Sequence, residues 1–381
     1  MSDPAFTLGI EEEYLLVDKA TRDLARDPPA DLVAQTEKEL AKLGMPGQVS
    51  PEFLRAQIEV QTRVCSTVAE ARAQLSILRK TVAEVAGRHG LAPIASSTHP
   101  FAEWRGAGAT DRERYRALER DLQGVGRRIV ICGLHVHLGI EDEELRVDLM
   151  NQAGYFLPHL LALSTSSPFW RGEDTGLASY RIAIFNELPR TGLPDHFESW
   201  GEYQRQVNRL VRAGLIDDAS KLWWDIRPSA RFPTLEMRVT DMCTSLDHAV
   251  SIAALYRSLI SMLWRLKKSN QRWRIYPHML IEENRWRAQR YGTDEGLVDF
   301  GKGEIVPVAA LVDELIELVR PDAERLGCVA EVEAARAILR EGTSAHRQRR
   351  AFDAAMAASK TKRQALEAVV DELIAGTVAG L

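Results

Sequence analysis

The stretch GIEEEYLLVD, residues 9–18, sets three glutamates in a row inside an otherwise apolar run. Charged side chains are rarely buried without partners. In a β-strand alternate residues share a face. Glu11 and Glu13 then lie with Gly9, Leu15 and Val17, while Glu12 lies on the other face with Ile10, Tyr14 and Leu16. Two carboxylates two residues apart on one face have Cα atoms roughly 6.5–7 Å apart, a spacing that serves two neighbouring cations. A solvated edge strand with three surface glutamates accounts for these ten residues equally well when they are taken alone.

Other stretches repeat the device. RAQIEVQT puts Gln57, Glu59 and Gln61 on one face and Ala56, Ile58 and Val60 on the other, with Glu52 just upstream. GLHVHLGI alternates Leu134, Val136, Leu138 and Ile140 with His135, His137 and Gly139. TLEMRVTD sets Glu236, Arg238 and Thr240 opposite Leu235, Met237 and Val239, and SYRIAIF, read as a strand, sets Arg181 opposite Tyr180, Ile182 and Ile184. Solvated strand faces favour Thr, Ser and Lys, whereas these carry Glu, His and Arg. On one sheet the polar faces would gather Glu11, Glu13, Glu52, Glu59 and Glu236 with both histidines and both arginines. Acids at that density raise each other's pKa, and divalent cations relieve the repulsion. Oxygen-rich sites with an occasional imidazole suit Mg²⁺ or Mn²⁺ better than Zn²⁺. The arginines match a substrate carboxylate or phosphate.

Composition narrows the class. A chain of 381 residues with 45% hydrophobic content supports a large core. A net charge of −5 excludes a globally basic nucleic-acid binder. The apolar runs fall short of the ~20 residues that span a bilayer, and MSDPAFTLG lacks the layout of a signal peptide. Partners are therefore expected to be small molecules, with no nucleic acid and no membrane. Cys65, Cys132, Cys243 and Cys328 are far apart without a CxxC pair, which reads as reduced thiols in a cytoplasmic protein. Neither a GxxxxGK[ST] loop nor a strand-linked GxGxxG is present, and GVGRR at 124–128 is too short to count.

Helical signals frame the strands. Residues 67–90 open with Thr67-x-x-Glu70 and close at Gly90, which predicts one long helix. DEELRVDLMNQAGYFLPHLLAL and HAVSIAALYRSLISMLWRLKK read similarly, and from about 247 to the C-terminus the pattern is mostly helical. The order is not a regular βαβ alternation, so an α+β fold with a mainly antiparallel sheet is expected over a single catalytic domain, 1–381.

The ordered motifs GIEEEYLLVD, SPEFLRAQIEVQT, CGLHVHLGI, SSPFWRGEDTGLASYRIAIFNELPRTGLP, RPSARFPTLEMRVTD, EENRWRAQRYG and SAHRQRR run nearly the whole chain. Together they resemble the carboxylate–amine ligases of the glutamate–cysteine ligase type 2 group. The resemblance implies a glutamine-synthetase-like fold, a curved sheet with helices packed around it. It also implies an enzyme that uses ATP and Mg²⁺ (or Mn²⁺) to join an acid, commonly glutamate, to an amine, commonly cysteine, through an acyl phosphate. By the same resemblance Glu13, Glu52 and Glu59 hold one metal, and Glu11, His135 and Glu236 hold another. His137 is a further metal or substrate contact. Arg181 and Arg238 are catalytic, near the substrate carboxylate and the transferred phosphate. Arg285, Arg290, Arg347 and Arg350 lie in basic motifs that reach toward the nucleotide.

Two other readings stand beside this one. A metal-dependent hydrolase built on His135-x-His137 predicts retained zinc and no need for ATP, but the eightfold strand–helix alternation of such barrels is not visible. A non-catalytic metal-binding relative predicts no turnover. WRGAGATDRERY, residues 104–115, reads equally as a cover over the site and as an ordinary surface loop. The oligomeric state is open between a monomer and a homo-oligomer.

Overall fold

The computed structural model describes residues 3–52, 54–103, 120, 122–126 and 128–381. The 104–115 stretch lies outside the described residues. Seven strands form the main sheet: β1 (Leu8–Asp18), β2 (Val49–Pro51), β3 (Gln57–Gln61), β4 (Leu91–Ile94), β5 (Leu134–Gly139), β6 (Ile226–Pro228) and β7 (Thr234–Met237). Their order is β6-β7-β5-β1-β3-β2, with β4 pairing the far end of β1, and every pairing is antiparallel. The α+β expectation holds, and the period-2 stretches other than SYRIAIF come together on one sheet.

Helices cover the face that carries Ile10, Glu12, Tyr14 and Leu16, all buried. Helix Val68–Gly87 starts where the sequence signalled. Thr67 Oγ1 accepts from Glu70 N at 3.1 Å. The return bond falls one residue earlier than a capping box predicts, from Ser66 N to Glu70 Oε2 at 2.9 Å. Helix Leu246–Lys268 is long and apolar enough to cross a bilayer by length and composition, but 89% of that window is buried inside the protein, as in a core helix. One apolar cluster runs from Phe6, just before the first strand, to Leu373 on helix Lys362–Val378.

Three local expectations are corrected. Residues 142–163 are not one helix: Glu143–Ala153 ends at a 3₁₀ turn, Gly154–Phe156, and Leu157–Ser164 restarts with Pro158 in its first turn. The 92–110 stretch, whose prolines and glycines predict a loop, begins inside β4. SYRIAIF is a short helix, Tyr180–Phe185, not a strand. The helical region after 247 also contains a two-stranded hairpin, Gly296–Asp299 with Glu304–Pro307.

Candidate active site

Sheet register assembles the site. Glu13 faces Glu59 across β1 and β3, Glu11 faces His135 across β1 and β5, and His137 faces Glu236 across β5 and β7. Directly opposed residues have Cβ atoms about 4.5–5.5 Å apart, so each pair is in contact range on the face away from the covering helices. Glu52 arrives just after β2, whose Ser50 faces Glu59 and donates to its Oε1 at 3.1 Å.

Two groups of ligand atoms result. Glu13, Glu52 and Glu59 offer oxygens within 4.8 Å of one another, and so do the ligand atoms of Glu11, His137 and Glu236. Atoms that close can share one cation at bonds of 2.0–2.6 Å. The second group differs from the set that the resemblance implied. His137 completes it, and His135 stands beside it with Nδ1 3.4 Å from Glu11 Oε2. His137 has the geometry of a ligand: Nδ1 bonds Thr234 Oγ1 at 2.9 Å. With that proton on Nδ1, Nε2 keeps a lone pair 3.4 Å from Glu11 and 4.0 Å from Glu236, and it has no hydrogen-bond partner among the described residues.

The charges fall into two regimes. Burial and the nearby Glu52 charge push Glu13 up to about 8, against the pull of Arg181 and the 2.7 Å bond from Gly133 N. Burial, then the charges of Glu11, Glu52 and Glu13, raise Glu59 well above the usual carboxylate range. This triad is therefore an acid group short of positive charge. The other group is supplied with it. Burial alone would raise Glu236, but Arg238 and Arg227 hold it well below the ordinary value. Burial is likewise overcome at Glu11 by the neighbouring His135 and His137 rings, which lower it. Burial and then Arg238 bring His135 down to about 4. At His137 burial lowers the pKa, but the Glu11 and Glu236 carboxylates close to the ring prevail and raise it.

Both predicted arginines reach this face by different routes. Arg238 follows β7 directly and donates Nη1 to Glu236 Oε1. Arg181 comes from the start of helix Tyr180–Phe185 and gives Nη1 and Nη2 to the carbonyls of Val239 and Arg238, at 3.3 and 3.1 Å. Each keeps a buried Nε without a partner among the described residues. Gly133 makes this approach possible: a Cβ there would sit 2.6 Å from Arg181 Nη2 and 2.8 Å from His135 Nε2.

Sequence reasoning missed three supporting groups. Arg227 grips Glu236 through Nε at 2.9 Å and Nη2 at 3.2 Å. Buried Asp241 accepts from Ser166 N, Ser167 Oγ and Ser179 Oγ, each at 2.8 Å, and Ser167 Oγ accepts from Arg181 N at 3.0 Å. Asp225 accepts both arms of Arg285, at 2.5 and 3.1 Å, while its carbonyl accepts from Arg238 N at 2.8 Å. The adjacent serines of the SSP motif were a signal for the Asp241 network; nothing local marked the other two.

The four arginines of the basic motifs are not gathered at the acid triads. Arg285 is buried, with its fork filled by Asp225 and Asn186. Arg290 donates to Gly176 O and lies over Tyr291. Arg350 donates to Glu341 O at 2.8 Å. Arg347 is pulled down by burial, with Glu372, Arg350 and Glu341 among its charged neighbours. All four cysteines are buried and free. Cys132 lies nearest the site, 3.6 Å from Gln57 Nε2, and burial raises its thiol pKa well above the ordinary value.

A sequence model described as glutamate–cysteine ligase family 2 matches residues 7–372. A protein of Rhodospirillum rubrum that carries the provisional name glutamate–cysteine ligase 2 is 62% identical over 381 residues, covering 100% of this chain and 98% of that one. A similarly named protein of Jannaschia sp. is 56% identical, covering 98% and 97%. Among solved structures, a Francisella tularensis glutamate–cysteine ligase in complex with AMP shares the fold, with TM-score 0.69 at 13% identity over 100% of this chain and 90% of that one. A Pasteurella multocida bifunctional glutathione synthetase gives 0.67 at 15%, covering 98% and 52%.

Proposed function

Because the chain belongs to glutamate–cysteine ligase family 2, whose members are ATP-dependent carboxylate–amine ligases, we propose that its acid-bearing sheet face activates an amino-acid carboxylate, glutamate first, for attack by an amine such as cysteine. The observation that carries this is the pairing of two three-ligand groups with two buried, incompletely bonded arginines.

Glu13, Glu52 and Glu59 would hold one Mg²⁺ or Mn²⁺, and Glu11, His137 and Glu236 a second, with His135 supporting Glu11. Bound there, such ions neutralise phosphate oxygens and the charge that develops as the phosphoryl group moves. Arg181 anchors the substrate carboxylate, which its unfilled Nε–H suits. Arg238, aligned by Glu236, faces the transferring phosphoryl group. The substrate carboxylate oxygen attacks the γ-phosphorus of ATP and ADP leaves, giving an acyl phosphate. The unprotonated amine then attacks the acyl carbon, phosphate departs, and the amide forms with loss of one proton from nitrogen. Arg227, Asp241 and Asp225 act through these groups as positioning residues. The buried free thiols support a cytoplasmic setting.

An ATP-dependent product screen by mass spectrometry, with glutamate and other amino acids as acids against an amine library, tests this reading. An amide formed together with ADP is the expected result. ATP-independent hydrolysis of amides, with retained zinc, would replace it with the hydrolase reading.

A further inference from the structure

The motif EENRWRAQRYG lies on and just past helix His278–Tyr291, away from the acid triads, and the chemistry above gives it no task. Its contacts nonetheless run to both site arginines. Arg285, 3% exposed, gives Nε and Nη2 to the Asp225 carboxylate at 2.5 and 3.1 Å, and Nη2 also bonds Asn186 Oδ1 at 3.0 Å. Its Nη1 stands 3.7 Å from Glu282. The Asp225 carbonyl in turn accepts from Arg238 N and Val239 N, at 2.8 and 3.1 Å. Asn186 is the C-cap of helix Tyr180–Phe185, which carries Arg181. One guanidinium therefore ties the backbone anchor of Arg238 to the end of the helix that presents Arg181.

The other end of that helix is held by the same element. One turn after Arg285, the Gln289 carbonyl accepts from Ala178 N and Ser179 N at 2.9 and 3.0 Å. A carbonyl in the last turn of a helix lacks an intrahelical partner, and here it receives the amide of Ser179, the N-cap residue before Arg181. Gly292 permits this approach: it has φ +57°, and a Cβ there would sit 3.1 Å from Ala178 Cβ and 3.2 Å from Thr165 Oγ1. A helix of six residues does not hold itself in place without tertiary contacts. We infer that helix His278–Tyr291 is a brace that keeps Arg181 and Arg238 in register with each other, and that Arg285 is its positioning residue. This rests on the ligase reading, in which those two arginines meet the acid and the transferring phosphoryl group. It also takes Arg285 away from the nucleotide, since a guanidinium buried among Asp225, Asn186 and Glu282 is committed within the protein.

Two variants of the full chain test the brace, by steady-state kinetics with Mg²⁺ and by backbone amide exchange. Arg285→Lys keeps the charge but cannot span Asp225 and Asn186 together. It is expected to lower kcat at least tenfold and to raise the KM of the acid, with the KM of ATP within about twofold of the parent. Asn186→Ala, at an exposed residue whose loss the fold tolerates, should raise the KM of the acid and leave kcat and the KM of ATP within about twofold. Amide exchange at Arg238 and Val239 should quicken at least tenfold in Arg285→Lys and stay parental in Asn186→Ala. Glu283→Ala, on the exposed side of the same helix, should change none of these. A raised KM for ATP alone in Arg285→Lys would make it a nucleotide contact and overturn the proposal. So would parental kinetics per folded molecule in both variants, or parental exchange at Arg238 in Arg285→Lys. A parent that forms no amide would end the ligase reading separately; the exchange at Arg238 and Val239 then decides the brace by itself, quickened in its favour or parental against it.

Discussion

Glu12 and Glu13 are adjacent in the chain and live in opposite electrostatic worlds. Glu12, on the helix-covered face, is 0% exposed and fully partnered: Arg79 grips both oxygens at 2.6 and 2.8 Å, and Tyr14 donates its hydroxyl at 2.5 Å. Arg79 spends its other donors on the carbonyls of Cys243 and Thr244, at 3.0 and 2.7 Å. Glu13, on the other face, meets Glu59 directly across the strand pair and is held up at about 8 by burial and its neighbours' charge. One acid is a closed structural joint. The other is an open demand for positive charge. Glu12 is fully buried and Glu13 half-buried, but it is the completeness of their partners that separates a joint from a site.

That contrast can be broken most forcefully at Glu13. Glu13→Gln is expected to lower ligase turnover by at least 100-fold, since removing a ligand charge costs several kcal/mol at a phosphate-bridging ion. The metal-free melting temperature should hold or rise, because a like-charge contact is relieved. Steady-state kinetics beside thermal melting in EDTA checks both halves. At Glu12 the outcome inverts. Glu12→Gln leaves Arg79 as a buried, half-paired cation, a change that typically costs about 3–5 kcal/mol. The melting temperature should fall by several degrees, while turnover per folded molecule stays within a few-fold of the parent.

The arginines sharpen the open face. Arg238→Lys is expected to lower kcat by at least tenfold with little change in the acid's KM, whereas Arg181→Lys should raise the acid's KM, because lysine cannot reproduce the guanidinium fork. Initial rates at saturating amine separate the two. A large loss of melting temperature with intact kinetics would instead make both arginines structural.

The smallest effect expected is in pH dependence away from the site. His99 accepts from Phe101 N and Ala102 N on Nδ1, at 3.2 and 2.9 Å, so its ring is neutral; burial, the leading cause, brings it down to about 4, and does the same at His159. A histidine with a lowered folded pKa binds fewer protons than the unfolded chain below about pH 6.5, so its stabilising contribution is present above that pH and is lost as pH falls toward 4. Melting temperatures between pH 7 and 4 should decline over that window, and His99→Gln should make the decline shallower.

Much of the open face could be read from alternation. In the strands that carry Glu11, Glu59, His135 and Glu236, period 2 survives because one face is apolar and the other carries the site's charged groups, even where both faces are buried, as in β5. SYRIAIF deceived because Ile182 and Ile184 alternate as a strand would, and the six-residue helix Tyr180–Phe185 holds fewer than two turns of contrary pattern. The resemblance favoured His135 as ligand; the register puts His135 opposite Glu11 and His137 opposite Glu236, and which histidine shares a ligand group with both acids depends on strand pairing, which is not local. Arg227, Asp225 and Asp241 were illegible for the same reason. Arg79 was hidden in an ordinary amphipathic helix 67 residues from its partner Glu12.

Manganese binding, followed by electron paramagnetic resonance on the parent, Glu12→Gln and Glu13→Gln proteins below their melting temperatures, tests the central claim most directly. The parent and Glu12→Gln should bind Mn²⁺ with equal stoichiometry, and Glu13→Gln should lose at least one site. Parent-like binding in Glu13→Gln, or loss in a folded Glu12→Gln, would contradict it.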